Sequence, residues 1–343
     1  MKARLGFVVL SFLLSVALGL TLSRRGGEVS TAHAKPLIGL SLDTLKEERW
    51  QADRDLFVAR AGELGADVLV QAANSDDTRQ IQDVEALISR KVDALVIVPH
   101  NGAAMAKAVG LAHDAGIPVI AYDRMIPDAG VDLYVSVDPY KVGALQARFL
   151  IDYFKGKGPK KLVRINGAKT DPNAHLVKKG QDDALAAAPS LKIVHEDWAE
   201  EWKPENAKKI TQAALTRVGS FDAVLAANDG TAGGAIQALS EEGLAGKVVV
   251  TGQDAELAAC QRVLAGVQSM TIYKPLKKLA ALAAEAAVRL ASRRPVIAKE
   301  EVADAKGPVP AIMLAPVIAT KENMLSTVVA DGFHSREDVF RKP

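Results

Sequence analysis

Only one cysteine, Cys260, occurs in the 343-residue chain, so neither an internal disulfide nor a cysteine metal cluster can form. It falls in the helical run 255–264, where it is expected to be a small core side chain. No cysteine stands directly after the amino-terminal leader, so a lipid-anchored amino terminus is not expected. Charge of one sign is also missing: 43 basic residues against 41 acidic ones leave a formal +2, too balanced for a nucleic-acid footprint. Aromatic residues make up only 5% of the chain, within the profile of an ordinary α/β protein. Catalytic signatures are absent as well: there is no P-loop, G-x-G-x-x-G, G-x-S-x-G or H-E-x-x-H, and the six histidines lack ligand spacing. Gly230-Thr231-Ala232-Gly233-Gly234 opens a helix, but no lysine follows it to cradle a phosphate.

One long apolar run is present. Lys2 and Arg4 precede the uncharged stretch 5–22, and Ala32-His33-Ala34 offers a small-x-small site before Lys35, which reads as a secretory signal peptide over residues 1–34. An uncleaved membrane anchor is the alternative, since the run is near spanning length. The remaining length suits about two domains. From Lys35 onward, short apolar runs alternate with helical patterns, beginning with a strand at 37–41, a helix at 50–64 and a strand at 66–71. Near-continuous apolar strands alternating with helices imply parallel sheets covered on both faces. The alternation starts afresh after Asp138-Pro139, and a second series of strands follows at 161–166, 191–194, 223–227, 248–251 and 269–273. Pro275 opens an Ala/Leu-rich helix to about Ser292, and a run at 312–318 is interrupted by Pro316.

The chemistry gathers at strand ends. The run 116–124 delivers Asp123 and Arg124 side by side, and others finish at Arg49-Trp50, Asp171-Pro172-Asn173, Asn228-Asp229, Gln253-Asp254 and Tyr273-Lys274. In open parallel sheets, ligands bind at those carboxyl ends. Singly, each has a structural reading: Asp229 and Thr231 as helix caps, Asp171 and Asn173 as turn or cap residues, Glu47-Glu48-Arg49 as a solvated charge run. Together they form a pocket in which Arg49, Arg124 and Lys274 offset Asp123, Asp171 and Asp254, with Asn173 and Asn228 supplying amides. That mixture suits a neutral polyhydroxy ligand, because a hydroxyl both donates and accepts while carboxylates only accept and arginine only donates. Trp50 and Trp198, each beside a strand end, are expected to cover the apolar faces of a sugar ring; Trp202 and Tyr273 read as packing residues.

From about Leu37 to Asp331 the sequence resembles the periplasmic sugar-binding proteins of ABC transporters. The resemblance rests on Glu48-Arg49-Trp50-Gln51-Ala52-Asp53-Arg54-Asp55, Ala121-Tyr122-Asp123-Arg124-Met125-Ile126, the run 228–240, Gly252-Gln253-Asp254 and Thr271-Ile272-Tyr273-Lys274-Pro275. It implies a type I periplasmic binding protein fold: α/β, with two similar doubly wound parallel-sheet lobes joined by a three-strand hinge near residues 137–139, 274–275 and 314–317. The expected lobes are 35–138 plus 275–314 and 139–274 plus 315–343. The implied contacts are Arg49, Trp50, Asp123, Arg124, Asp171, Asn173, Trp198, Asn228, Asp254 and Lys274, closing on one monosaccharide, with D-xylose as the expected ligand. It further implies a periplasmic monomer that uses no cofactor or metal, catalyses no reaction and delivers its sugar to a membrane permease. Ribose, glucose or a sensory role are the alternatives. A transcription regulator would need a basic helix-turn-helix where the apolar leader stands, and a glycosidase would use Asp123 or Asp254 as acid or base.

Overall fold

The computed structural model describes residues 35–341; the expected leader and its cleavage site lie outside them. The first seven elements alternate strand and helix, and an eighth, a strand, follows directly: β1 (Leu37–Leu42), α1 (Glu48–Glu63), β2 (Asp67–Ala72), α2 (Asp77–Ser89), β3 (Ala94–Ile97), α3 (Gly102–Asp114), β4 (Val119–Tyr122) and β5 (Leu133–Val137). A second series follows with α4 (Pro139–Tyr153), β6 (Lys160–Asn166), α5 (Pro172–Leu185), β7 (Leu191–Trp198), a 3-10 turn at Glu200–Trp202, α6 (Pro204–Val218), β8 (Ala223–Ala226), α7 (Asp229–Glu241), β9 (Val249–Val250), α8 (Leu257–Ala265) and β10 (Thr271–Tyr273). The chain then runs through α9 (Leu276–Ala291), β11 (Glu300–Val302), β12 (Val309–Leu314), β13 (Val317–Ala319) and a short α10 (Arg336–Phe340).

The strands form a seven-stranded sheet in the order β11-β12-β5-β4-β3-β1-β2 and a four-stranded one in the order β7-β6-β8-β9. Every pairing in both is parallel except that of edge strand β11 with β12. In each sheet the chain steps from its first strand to one neighbour and then crosses to the other side, β1 to β2 to β3 and β6 to β7 to β8. Each sheet thus has a switch point beside its first strand, where the loops part and leave a crevice.

Both faces of each sheet are covered. On the larger sheet, Phe57 of α1 with Leu279, Ala283 and Ala287 of α9 pack one face, while Val84 and Leu87 of α2 with Met105 and Val109 of α3 pack the other. The smaller sheet lies between α6 and α7, through Ile210, Ala214 and Leu239, and α4 and α5, through Leu150 and Leu185. Side-chain oxygens cap many of the helices, including Asp76 on Arg79 N, Asn101 on Ala104 N and Asp138 on Lys141 N, satisfying first-turn amides that have no intrahelical partner.

Beyond α9 the structure is more ordered than the sequence suggests. The 312–318 run divides at Ala315-Pro316 into β12, which extends the larger sheet beside β5, and β13, which pairs antiparallel with β10. β11 is carried by Glu300 and Glu301, charged residues without strand-like alternation. Cys260 is buried in α8, among Tyr273, Met324, Val328 and Val339. No described helix is long and apolar enough to cross a membrane.

Candidate functional site

A cavity lies between the carboxyl ends of the two sheets. Nine of the ten expected residues line it: Arg49 and Trp50 after β1, Asp123 and Arg124 after β4, Asp171 and Asn173 after β6, Asn228 after β8, Asp254 after β9 and Lys274 after β10. The sequence brings them together because each lies in the loop or helix start that follows a strand, and parallel strands place all such ends on one side.

The arginines organise the charges. Arg49 Nη2 contacts Asp53 Oδ2 at 3.0 Å and Asp123 Oδ2 at 2.7 Å, while its Nη1 reaches Asp254 Oδ1 at 3.3 Å. Lys274 Nζ meets the same Asp254 oxygen at 2.9 Å. Arg124 donates from Nη1 to Asp43 Oδ2 at 2.7 Å and to the Pro99 carbonyl at 3.0 Å, and its Nε pairs with Asp171 Oδ2 at 2.7 Å. Both guanidinium groups lie over the Trp50 ring, at 4.0 and 5.2 Å from its centroid, a favourable cation–π geometry.

These neighbours set the protonation states. Burial alone would raise the Asp123 carboxyl, but Arg49, Lys274 and Arg124 outweigh it and bring it down to about 2. Burial prevails at Asp171, which is raised despite Arg124, and at Asp53, which is raised despite Arg49 and the Tyr122 hydroxyl bonded to it.

Asp123 and Asp254 both follow strands with left-handed backbone, φ 61° and 99°. Non-glycine residues hold such angles only when their surroundings impose them. At Asp123 the restraint is visible: its carbonyl accepts from Tyr134 Oη at 3.0 Å, Ser136 Oγ at 2.6 Å and Asn173 Nδ2 at 2.9 Å. The twist turns the carboxylate away from the strand and into the crevice.

Some capping readings hold in part. Asn228 is itself the N-cap of α7, its Oδ1 accepting from Thr231 N at 2.8 Å while Thr231 Oγ1 accepts from Asn228 N at 3.1 Å. Asp171 caps α5 by accepting from Asn173 N at 2.8 Å, leaving Oδ2 for Arg124. Asp229 does something other than cap: fully buried, it accepts from Gln268 Nε2 and Thr271 Oγ1, each at 2.8 Å, and from Glu256 N at 3.0 Å.

The expected Trp198 does not line the cavity; Trp202 does. Trp198 ends edge strand β7, where its ring packs against His175 of α5, tilted by 41° with centroids 4.8 Å apart. Four residues later, Glu201 and Trp202 take φ of 52° and 57°, a turn that brings the Trp202 indole over Gly167. A Cβ on Gly167 would lie 2.1 Å from that ring, so only glycine leaves room. Trp202, expected only to pack, thus borders the cavity, and Trp198, expected at the ligand, packs against His175.

Glu47, read as part of a solvated charge run, and Gln253, named as a strand end but not as a contact, also line the cavity, and Asp53, given no role, sits behind Arg49. Burial pushes the Glu47 carboxyl up; its own backbone hydrogen bond and Arg124 oppose this, while Asp43 and Asp254 add to it. Among the described residues no group of three or more His, Cys, Asp or Glu is placed to hold a metal ion.

Residues 38–295 match the family model described as a periplasmic binding protein domain. The chain belongs to that family. This binding-protein chain is 47% identical over 316 residues to the D-xylose-binding periplasmic protein of Haemophilus influenzae, covering 91% of this chain and 94% of that one. It is 45% identical over 313 residues to the D-xylose-binding periplasmic protein of Escherichia coli, covering 90% and 94%. Among solved structures, a carbohydrate transporter solute-binding protein from Chloroflexus aurantiacus in complex with D-glucose superposes with a TM-score of 0.81 at 31% identity, covering 88% of this chain and 97% of that one. The binding protein therefore has the type I fold, two α/β lobes with the crevice between them.

Proposed function

We propose that this chain is the periplasmic substrate-binding component of an ABC-type sugar importer, holding D-xylose between its two lobes and delivering it to a membrane permease. The observation that carries the sugar reading is the mixture on the cavity wall. Cations, carboxylates and amides from both sheets converge on one enclosed space, with Trp50 and Trp202 beside them. Hydroxyl groups can both accept from the arginines and donate to the aspartates, and the indoles supply apolar area for the ring faces.

The choice of D-xylose is supported by the identity to the Haemophilus influenzae and Escherichia coli proteins over nine-tenths of the chain. The contacts we assign are Arg49, Trp50, Asp123, Arg124, Asp171, Asn173, Trp202, Asn228, Asp254 and Lys274. The lobes run over 35–138 with 275–314 and over 139–274 with 315–343, in a monomer that binds its sugar without transforming it. Export with cleavage after Ala34 accounts for the leader.

Titration calorimetry with D-xylose, D-glucose and D-ribose at one pH tests the assignment. A pocket fitted to a pentose must be overpacked by glucose's extra hydroxymethyl group, at a cost of about 1–3 kcal/mol, so glucose should bind roughly ten- to hundredfold more weakly. Equal or tighter binding of glucose or ribose would reassign the sugar; product formation on incubation would reassign the chain to an enzyme.

A further inference from the structure

Glu47 stands at the N-cap position of α1, but its side chain makes no capping hydrogen bond. Its Oε2 is nevertheless buried and has no hydrogen-bond partner among the described residues. The nearby cations are committed elsewhere: Arg124 to Asp43 and Asp171, Lys46 to Glu201. A buried carboxylate oxygen left unpaired is costly, and native proteins keep few of them without a reason. The reason here is the location. Glu47 lines both the main cavity and the groove that opens beside it between the two lobes, and Trp202 and Asn228 are shared by the same two spaces. Trp202, which also lines both spaces, has its Nε1 buried and without an acceptor among the described residues. An unpaired carboxylate oxygen beside a ligand cavity is matched by a hydroxyl, which can donate to it.

We propose that Glu47 is a ligand contact, its buried carboxylate oxygen accepting the O–H of the sugar hydroxyl at the groove side of the cavity. This rests on the sugar-binding reading above and adds a selectivity element to it. A sugar with no hydroxyl at that position, or with the oxygen blocked by a substituent, leaves the carboxylate unpaired and binds worse.

The test is titration calorimetry of the wild-type chain, Glu47→Gln and Glu47→Ala with D-xylose and its monodeoxy derivatives, after melting without sugar has established that the variants fold. Glu47→Ala should weaken D-xylose binding about ten- to hundredfold, and Glu47→Gln less, because its carbonyl oxygen still accepts. The decisive sign is non-additivity: for one deoxy sugar only, Glu47→Ala should bind as well as the wild type does. D-Xylose affinity unchanged in Glu47→Ala, or a loss that adds equally to that of every deoxy sugar, would overturn the contact. Failure of the wild-type chain to bind any monosaccharide would instead bring down the sugar-site reading, and the contact with it.

Discussion

Arg124 Nε and Asp171 Oδ2 meet at 2.7 Å, joining the end of a strand in the larger sheet to the cap of a helix on the smaller one. Both groups are buried. Removing one partner of such a pair inside a rigid core costs about 3–5 kcal/mol, but here the lobes can part and return Arg124 to water. Asp171→Asn should therefore lower D-xylose affinity at least about tenfold and leave the melting temperature of the sugar-free protein nearly unchanged. Calorimetry and a thermal melt check the two halves; a large drop in melting temperature with intact affinity would make the pair a folding element.

Trp202→Ala should weaken sugar binding by about 2 kcal/mol, or roughly thirtyfold, through lost apolar contact. Trp198→Ala should stay within about threefold of wild type, since its ring packs on His175 outside the cavity. The reverse ranking would return the ring-covering role to Trp198.

Gly167→Ala tests the platform beneath that indole. The new methyl would fall 2.1 Å from the Trp202 ring, and the ring must move. Affinity should fall towards that of Trp202→Ala, with far-ultraviolet circular dichroism unaltered and tryptophan fluorescence changed. Unchanged fluorescence and binding would mean that the indole has other room.

Burial, reinforced by Asp229 and Asp254, pushes the Glu256 carboxyl up to about 8, and burial with Asp254 pushes Asp229 to about 7. Between the ordinary carboxylate range and those values the folded chain keeps protons that the unfolded chain has released. The stability tied to these groups is full at acid pH and is lost as pH rises through 7 and 8. Melting temperature should decline from pH 5 to 9, and Glu256→Gln should flatten that decline. An identical slope in the variant would contradict the assignment.

The alternation of strand and helix was legible because parallel strands buried on both faces are almost wholly apolar, as in 94–97 and 223–226. The site's polar residues were legible because they interrupt those runs at the same end. That Trp202 rather than Trp198 borders the cavity was hidden in two left-handed residues, Glu201 and Trp202, whose conformation no residue type there announces. Glu47 looked like one more charge in a solvated run, because burial of a single oxygen is set by tertiary packing. Asp53 was given no role, because its burial depends on Tyr122 and Arg49 closing over it. Strand β11 escaped because an edge strand needs no apolar alternation.

Each of the three chain passages between the two halves carries a proline: Pro139 after β5, Pro275 after β10 and Pro316 between β12 and β13. Proline has no amide hydrogen, so pivoting there forfeits no ladder bond at that residue. Resistance to gaping then comes mainly from charge, from Arg49 with Asp254 and Arg124 with Asp171, rather than from the covalent connections. Sugar release measured by stopped flow should accordingly quicken as ionic strength rises, to the extent that counterions reach those pairs as the mouth widens; a sugar carrier built this way unloads at a rate tuned by its electrolyte.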